Sequence, residues 1–289
     1  MRTLQQLSLF QYRLYEQELL QFPAAVTALT GPNGSGKTAV LDAAYYLCYT
    51  KSYFTAQQQP LARWESPGFK IIGELADPFD PERMHTVSCR WEDGRKEITV
   101  DGAAYPKPSD HIGRWAAVMI APDDSELLLG SAEGRRRWGD SILAQTDRQY
   151  LEYLTQYNRL LQQRNAWLKA QAFGPLRADA ELESYNHRMA ESGTYLYECR
   201  KAFSTDFVPL LRDMYARLSA GAEAVDLSYE SDLHEKSAGE WLRETLYADL
   251  RAQRTGRGIH KDDWVFQIQE KPVRIYASQG QRKSLLFAL

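Results

Sequence analysis

Apolar and polar positions along the 289-residue chain change period twice. Up to about residue 125, short apolar runs alternate with polar turns, as strands and short helices do. Ala24-Ala25-Val26-Thr27-Ala28-Leu29 is apolar and partly β-branched, which predicts a buried strand. Ala39 to Leu47 follows with good helix formers and no breaker. Ile71-Ile72-Gly73-Glu74-Leu75, Thr86-Val87-Ser88-Cys89-Arg90-Trp91 and Glu97-Ile98-Thr99-Val100 predict three strands. Asp93-Gly94 and Asp101-Gly102 supply turn dipeptides beside them. Val118-Met119-Ile120 predicts one more buried strand.

From Asp147 the period lengthens. Leu151, Leu154, Leu161 and Leu168 predict a helix to about Lys169. After a break at Phe173-Gly174-Pro175, Leu182, Tyr185, Met189, Leu196, Phe203, Leu210, Met214 and Leu218 mark the buried side of a second helix, from about Ala178 to Leu218. Two long helices so joined predict an antiparallel pair. Strand alternation returns at Val225–Tyr229, Trp264–Ile268 and Val273–Tyr276. The expected organisation is an α/β domain of residues 1–140 and 225–289, interrupted by a helical subdomain of residues 141–224.

Composition narrows this only a little. Hydrophobic content of 44% and charged content of 25% suit a soluble globular protein. No apolar run approaches a membrane span, and the N-terminus lacks a signal-peptide core. Cys48, Cys89 and Cys199 have no metal-ligand spacing and are expected as buried thiols in a reducing cytoplasm. With a net charge of −3, nucleic acid would have to meet local basic patches.

The chemistry is carried by Gly31-Pro32-Asn33-Gly34-Ser35-Gly36-Lys37-Thr38, a complete phosphate-binding loop between the expected strand and helix. Glycines let backbone N–H groups turn onto phosphates, and the helix N-terminus adds partial positive charge. Lys37 is placed for the β and γ phosphates and Thr38 for one Mg²⁺ position. A nucleotide triphosphate with Mg²⁺ is therefore expected. Far downstream, Ser278-Gln279-Gly280-Gln281 opens an apolar stretch, Ser284–Leu289. A Ser-x-Gly-Gln turn before a helix resembles the signature of ABC-type ATPases, although Ser and Gly also open many helices as plain caps.

With both motifs in this order, the chain resembles the RecF family of bacterial recombinational-repair ATPases. Tyr12-Arg13-Leu14-Tyr15-Glu16 is similar to that family's Phe-Arg-Asn-Tyr segment, and Thr50-Lys51-Ser52-Tyr53 to its Gly-Arg-Ser stretch. Ala121-Pro122-Asp123-Asp124 through Gly130-Ser131 and Arg135-Arg136-Arg137 to Asp140 is close to a family block, as is Gln163-Arg164-Asn165. Gly258-Ile259-His260-Lys261-Asp262-Asp263 matches Gly-Pro-His-Arg-Asp-Asp with two substitutions.

The resemblance implies a P-loop ABC-type ATPase head with an inserted antiparallel helical subdomain. It also implies ATP and Mg²⁺ as cofactors, Arg13 at the nucleotide site, and an ATP-dependent homodimer in which each signature faces the other subunit's loop. DNA at single-strand/double-strand junctions would be the substrate, RecR and RecO the partners, and recombinase loading during repair and the SOS response the outcome. A transporter ATPase subunit shares both motifs but lacks the helical pair and the arginine block. A phosphate-loop kinase has no use for Ser278–Gln281.

In the family a Walker B strand, apolar and ending in acidic residues, follows the signature helix. The sequence reaches Leu289 inside that helix, so no catalytic residue is assigned. A truncated member with an incomplete sheet, binding ATP without hydrolysing it, is expected. Asp123 and Asp124 read either as a family loop near the nucleotide or as a turn and helix cap. Two clusters are candidates for DNA phosphates: Arg135, Arg136 and Arg137, and the stretch Arg243, Arg251, Arg254, Arg257 and Lys261. Each of these is equally a solvated surface charge. His260 reads as structural or nucleotide-proximal rather than as a metal ligand.

Overall fold

The computed structural model describes residues 4–77, 79–80, 82–171 and 180–289, in two compact units, 1–119 and 120–289. The first unit runs β1 (Leu4–Tyr12), β2 (Tyr15–Gln21), α1 (Lys37–Tyr49), β3 (Gly68–Ala76), β4 (Met84–Glu92), β5 (Arg95–Val100) and β6 (Ala103–Ala104). Its sheet has the order β2-β1-β3-β4-β5-β6 with every pairing antiparallel. The tight hairpins turn where Asp-Gly predicts, and Asp93, Gly94, Asp101 and Gly102 all have positive φ.

Alternate residues of these strands point inward: Leu7 and Leu9, then Ile71 and Leu75, then Val87 and Cys89. Helix α1 covers them with Ala39, Val40, Ala43, Tyr46 and Leu47, one face at helical spacing. The helix comes so close that a Cβ on Gly73 would stand 2.3 Å from Leu47 Cδ1. Burial pushes the Cys48 and Cys89 thiols up to about 12, which leaves them inert, while Cys199 is only half-buried.

Two expected strands of this unit do not form. Residues 24–26 form a bend and 27–30 are irregular, and Val26 is 87% exposed. Val118-Met119-Ile120 is likewise irregular, with Val118 83% exposed. A short apolar run becomes a buried strand only where neighbours accept its backbone groups. Among the described residues no strand pairs with either segment.

The second unit runs α2 (Ser125–Leu129), α3 (Ala132–Thr146), α4 (Arg148–Gln171), α5 (Ala180–Leu218), β7 (Val225–Glu230), α6 (Ala238–Glu244), α7 (Leu246–Ala252), β8 (Asp263–Ile268), β9 (Lys271–Pro272), α8 (Val273–Tyr276) and α9 (Gln279–Ala288). The long helices α4 and α5 pack along each other, and β7-β8-β9 form an antiparallel ribbon against α5. The expected break at Phe173-Gly174-Pro175 lies outside the described residues.

The buried faces differ in detail from the leucine pattern. On α4 the buried positions are Tyr150, Tyr157, Leu160, Arg164, Trp167 and Leu168, with Leu151, Leu154 and Leu161 only half-buried. On α5 Leu182, Met189 and Leu196 are buried as expected, but Leu210, Met214 and Leu218 are exposed, and Leu211 and Tyr215 take their place. Steps of seven from Leu182 to Leu210 drift about 20° per heptad on a straight helix, so the stripe walks off the core.

A third correction concerns Val273–Tyr276, which is a helical turn rather than a strand. Gln269 and Glu270, both at positive φ, close a tight turn after β8. Pro272 then ends the ladder, since it has no N–H to donate.

Candidate nucleotide site

The phosphate loop leads directly into α1. Gly31, Gly34 and Gly36 have φ of 148°, 81° and 93°. Gly36 is the N-cap, and a Cβ there would lie 2.6 Å from Tyr15 Oη and 2.9 Å from Leu14 Cδ2. Glycine is required at position 36 both by conformation and by space. Lys37, Thr38 and Ala39 form the first turn, where N–H groups lack intrahelical acceptors. No acidic residue occupies that turn, so the positive end of the helix dipole is uncompensated.

Lys37 Nζ donates to the carbonyls of Gly31 (2.8 Å) and Pro32 (2.6 Å), which holds the ammonium over the mouth of the loop. The loop is exposed, with Thr38 at its edge. Amides, a dipole and an ammonium converging on an open cradle suit a polyphosphate. For a divalent cation the loop offers the Thr38 hydroxyl. Among the described residues no group of three His, Cys, Asp or Glu side chains is placed to hold a metal.

One residue that the sequence did not single out organises this region. Asp42, on the buried face of α1, is wholly buried. It accepts hydrogen bonds from Tyr12 Oη (3.0 Å), Arg13 (2.8 Å), Ser52 Oγ (2.8 Å) and the Tyr53 N–H (2.8 Å). The Tyr12–Glu16 and Thr50–Tyr53 segments thus converge on the loop helix through a single carboxylate. The available signal was an acidic residue inside an otherwise apolar helical face. Arg13 has φ 52° and is partly exposed.

In the second unit Ser278 is the N-cap of α9. Its Oγ accepts from the Gln281 N–H (3.2 Å), and Gln281 Oε1 accepts from the Ser278 N–H (2.6 Å). Gln281 also donates to Glu223. Ser278, Gln279 and Gly280 remain exposed at the helix start. Asp123 and Asp124 sit in a 3₁₀ turn, and the Asp124 carboxylate accepts from the Ala121 N–H, a capping arrangement.

The arginine block divides. Arg135 is buried, with its guanidinium on both oxygens of Asp263 (2.6 and 2.8 Å) and on the Gly130 carbonyl (2.9 Å), so it is withdrawn from the candidate DNA surface. Arg136 donates to the Asp262 carbonyl and is half-buried. Arg137 is exposed, as are Arg243, Arg251, Arg254 and Lys261. Arg257 is also exposed, donates to Asp232 and lies 4.8 Å over the Trp241 ring.

The remaining blocks are internal anchors. Arg164 is fully buried against Asp249 (2.8 Å), Thr255 (2.7 Å) and Asn186 (2.9 Å), and Asn165 accepts from the Thr255 N–H (2.7 Å). Arg200 joins Asp140 (2.9 Å), Asp262 (2.8 Å) and the Ile259 carbonyl (2.7 Å). His260 Nε2 meets the Thr255 carbonyl (3.1 Å), which fixes the proton there. Nδ1 then accepts from Tyr157 Oη (2.8 Å). Burial lowers its pKa to about 4.

A phosphate loop on a mixed sheet-and-helix head with a long helical insert defines an ATPase of the P-loop, ABC-type class. A family model described as an AAA domain matches residues 6–171. The chain is 34% identical to the DNA replication and repair protein RecF of Cytophaga hutchinsonii, over 99% of this chain and 75% of that one. It is 37% identical to RecF of Flavobacterium johnsoniae, over 99% and 79%, and 30% identical to RecF of Desulfitobacterium hafniense, over 98% and 78%. The fold superposes on a solved structure of the recombination mediator protein RecF with ATP, with a TM-score of 0.92 and 22% identity. That match covers 99% of this chain and 78% of the other. The chain belongs to the RecF family of DNA replication and repair proteins.

Proposed function

We propose that this chain is an ATP-binding DNA-repair protein that works as a nucleotide-controlled clamp on DNA. The carrying observation is the cradle of residues 31–38, with Lys37 held at its mouth by two loop carbonyls. On this reading phosphate oxygens replace those carbonyls as acceptors for the Lys37 ammonium. The Thr38 hydroxyl holds Mg²⁺ together with the phosphates, and Arg13 flanks the nucleotide.

The exposed start of α9 at Ser278, Gln279 and Gly280 fits the γ-phosphate bound on a second subunit, so ATP favours a homodimer and its loss releases it. Residues 1–140 and 225–289 then form the ATPase lobe, and 141–224 the helical lobe. Among the basic residues, Arg137, Arg243, Arg251, Arg254 and Lys261 are exposed to meet DNA phosphates, Arg137 beside Glu133, while Arg136 and Arg257 are partly committed elsewhere. Single-strand/double-strand junctions are the proposed substrate. RecR and RecO are the proposed partners, in the cytoplasm.

Retention on DNA-cellulose with and without ATP and Mg²⁺ tests the reading. Retention that rises with ATP and is lost in Lys37→Ala is expected. ATP-independent behaviour in both proteins would remove the clamp.

A further inference from the structure

One end of the first unit's sheet carries an open pocket of about 560 Å³. Its walls include Phe10, Trp64 and Trp91 together with Arg63, Lys70 and Arg90. Trp64 is 88% exposed. It stands on a turn closed by the Ser66 N–H donating to the Arg63 carbonyl (2.9 Å). The next residue, Glu65, has φ 66°, a conformation disfavoured for a residue with a Cβ. The turn is tied down on both sides: the Arg63 N–H donates to the Gln11 carbonyl (2.8 Å), and Ser66 Oγ to the Gly68 carbonyl (2.6 Å). A strained, anchored turn therefore presents a tryptophan that contributes almost nothing to the core.

The pocket is also rich in cations. Lys70 and Arg90 face each other directly in the β3–β4 register, and Arg90 faces Glu97 on its other side. The carboxylates at the pocket are Glu65 and Glu92, and Glu92 pairs with Arg90. Arg63 reaches Glu16 at 3.5 Å. These pairs are exposed and exchange readily for another anion. An indole face beside three cations matches the parts of a sequence-tolerant single-strand site, in which bases stack on aromatics and phosphates meet cations.

We propose that this pocket is a stacking site for unpaired nucleotides of single-stranded DNA, with Trp64 under a base and Lys70 and Arg90 on its flanking phosphates. Its residues are other than those of the phosphate loop and the arginines considered above, and it rests on the reading of the chain as a DNA-binding protein. It would let the protein sense the unpaired side of a junction.

The test is fluorescence anisotropy of the full chain with a labelled oligothymidylate and with a labelled duplex, for wild type, Trp64→Ala, Trp64→Phe and Lys70→Glu. Trp64→Ala should bind the single strand roughly ten-fold or more weakly and the duplex unchanged, with Trp64→Phe recovering most of the loss. Lys70→Glu should weaken single-strand binding and flatten its salt dependence. Unaltered ATP affinity in Trp64→Ala shows that the fold is intact. Unchanged single-strand affinity in Trp64→Ala overturns the site and leaves the patch to a protein partner. Equal losses on both DNAs overturn base stacking. Wild-type protein that binds neither DNA instead removes the DNA-binding reading itself.

Discussion

Single residues carry the nucleotide chemistry, and some were readable while others were hidden. Eight consecutive residues spell the phosphate loop, so no tertiary information was needed. Asp42 was hidden because its four hydrogen-bond partners lie as far as 30 positions away in sequence. Lys37→Ala should remove most ATP affinity in calorimetry while leaving the thermal transition in place, since Lys37 is partly exposed and donates to carbonyls of its own loop. Gly36→Ala should damage both, because the new methyl would collide with Tyr15 and Leu14. A normal melting temperature in Gly36→Ala would contradict the crowding. His260 adds a pH dependence. Burial holds it neutral down to about pH 4, whereas an unfolded histidine takes its proton near 6.5. Stability is therefore full above pH 6.5 and falls as the pH drops towards 4, by on the order of 2 kcal/mol at pH 5. Urea titrations at pH 7 and pH 5 should show that loss in wild type and not in His260→Gln.

Among the elements, strands bounded by Asp-Gly turns were legible because each turn fixes its own register. Helix faces were legible only over short spans. The heptad steps named the right side of α5 at Met189 and the wrong side by the time they reached Leu210. Leu211→Ala should accordingly cost about 2–5 kcal/mol, and Leu210→Ala under about 0.5 kcal/mol. Equal effects in denaturant titrations would mean that the helix is rotated. The Gln163–Asn165 block is legible as a pattern but not as a role, for nothing local tells a buried guanidinium from a surface one. Arg164→Ala leaves Asp249 buried without its cation and should cost about 3–5 kcal/mol.

For the whole molecule, the order of motifs was enough to anticipate a P-loop head with a helical insert. It did not reveal which arginines face water, because burial of Arg135 depends on Asp263, 128 positions later. DNA affinity should fall with salt, and Arg137→Ala and Arg254→Ala should each reduce the magnitude of that slope by roughly one. Arg135→Ala should instead lower the melting temperature. The irregular, largely exposed run ahead of the loop, residues 24–30, also bears on handling the protein. Proteases cleave exposed backbone that no ladder protects. Elastase, which cuts after small residues, should nick the chain near Ala24, Ala25 and Val26, just ahead of the nucleotide cradle. A ligand on residues 31–38 would shield the adjoining bonds, so the lifetime of the uncut band on a gel becomes a direct gauge of nucleotide occupancy.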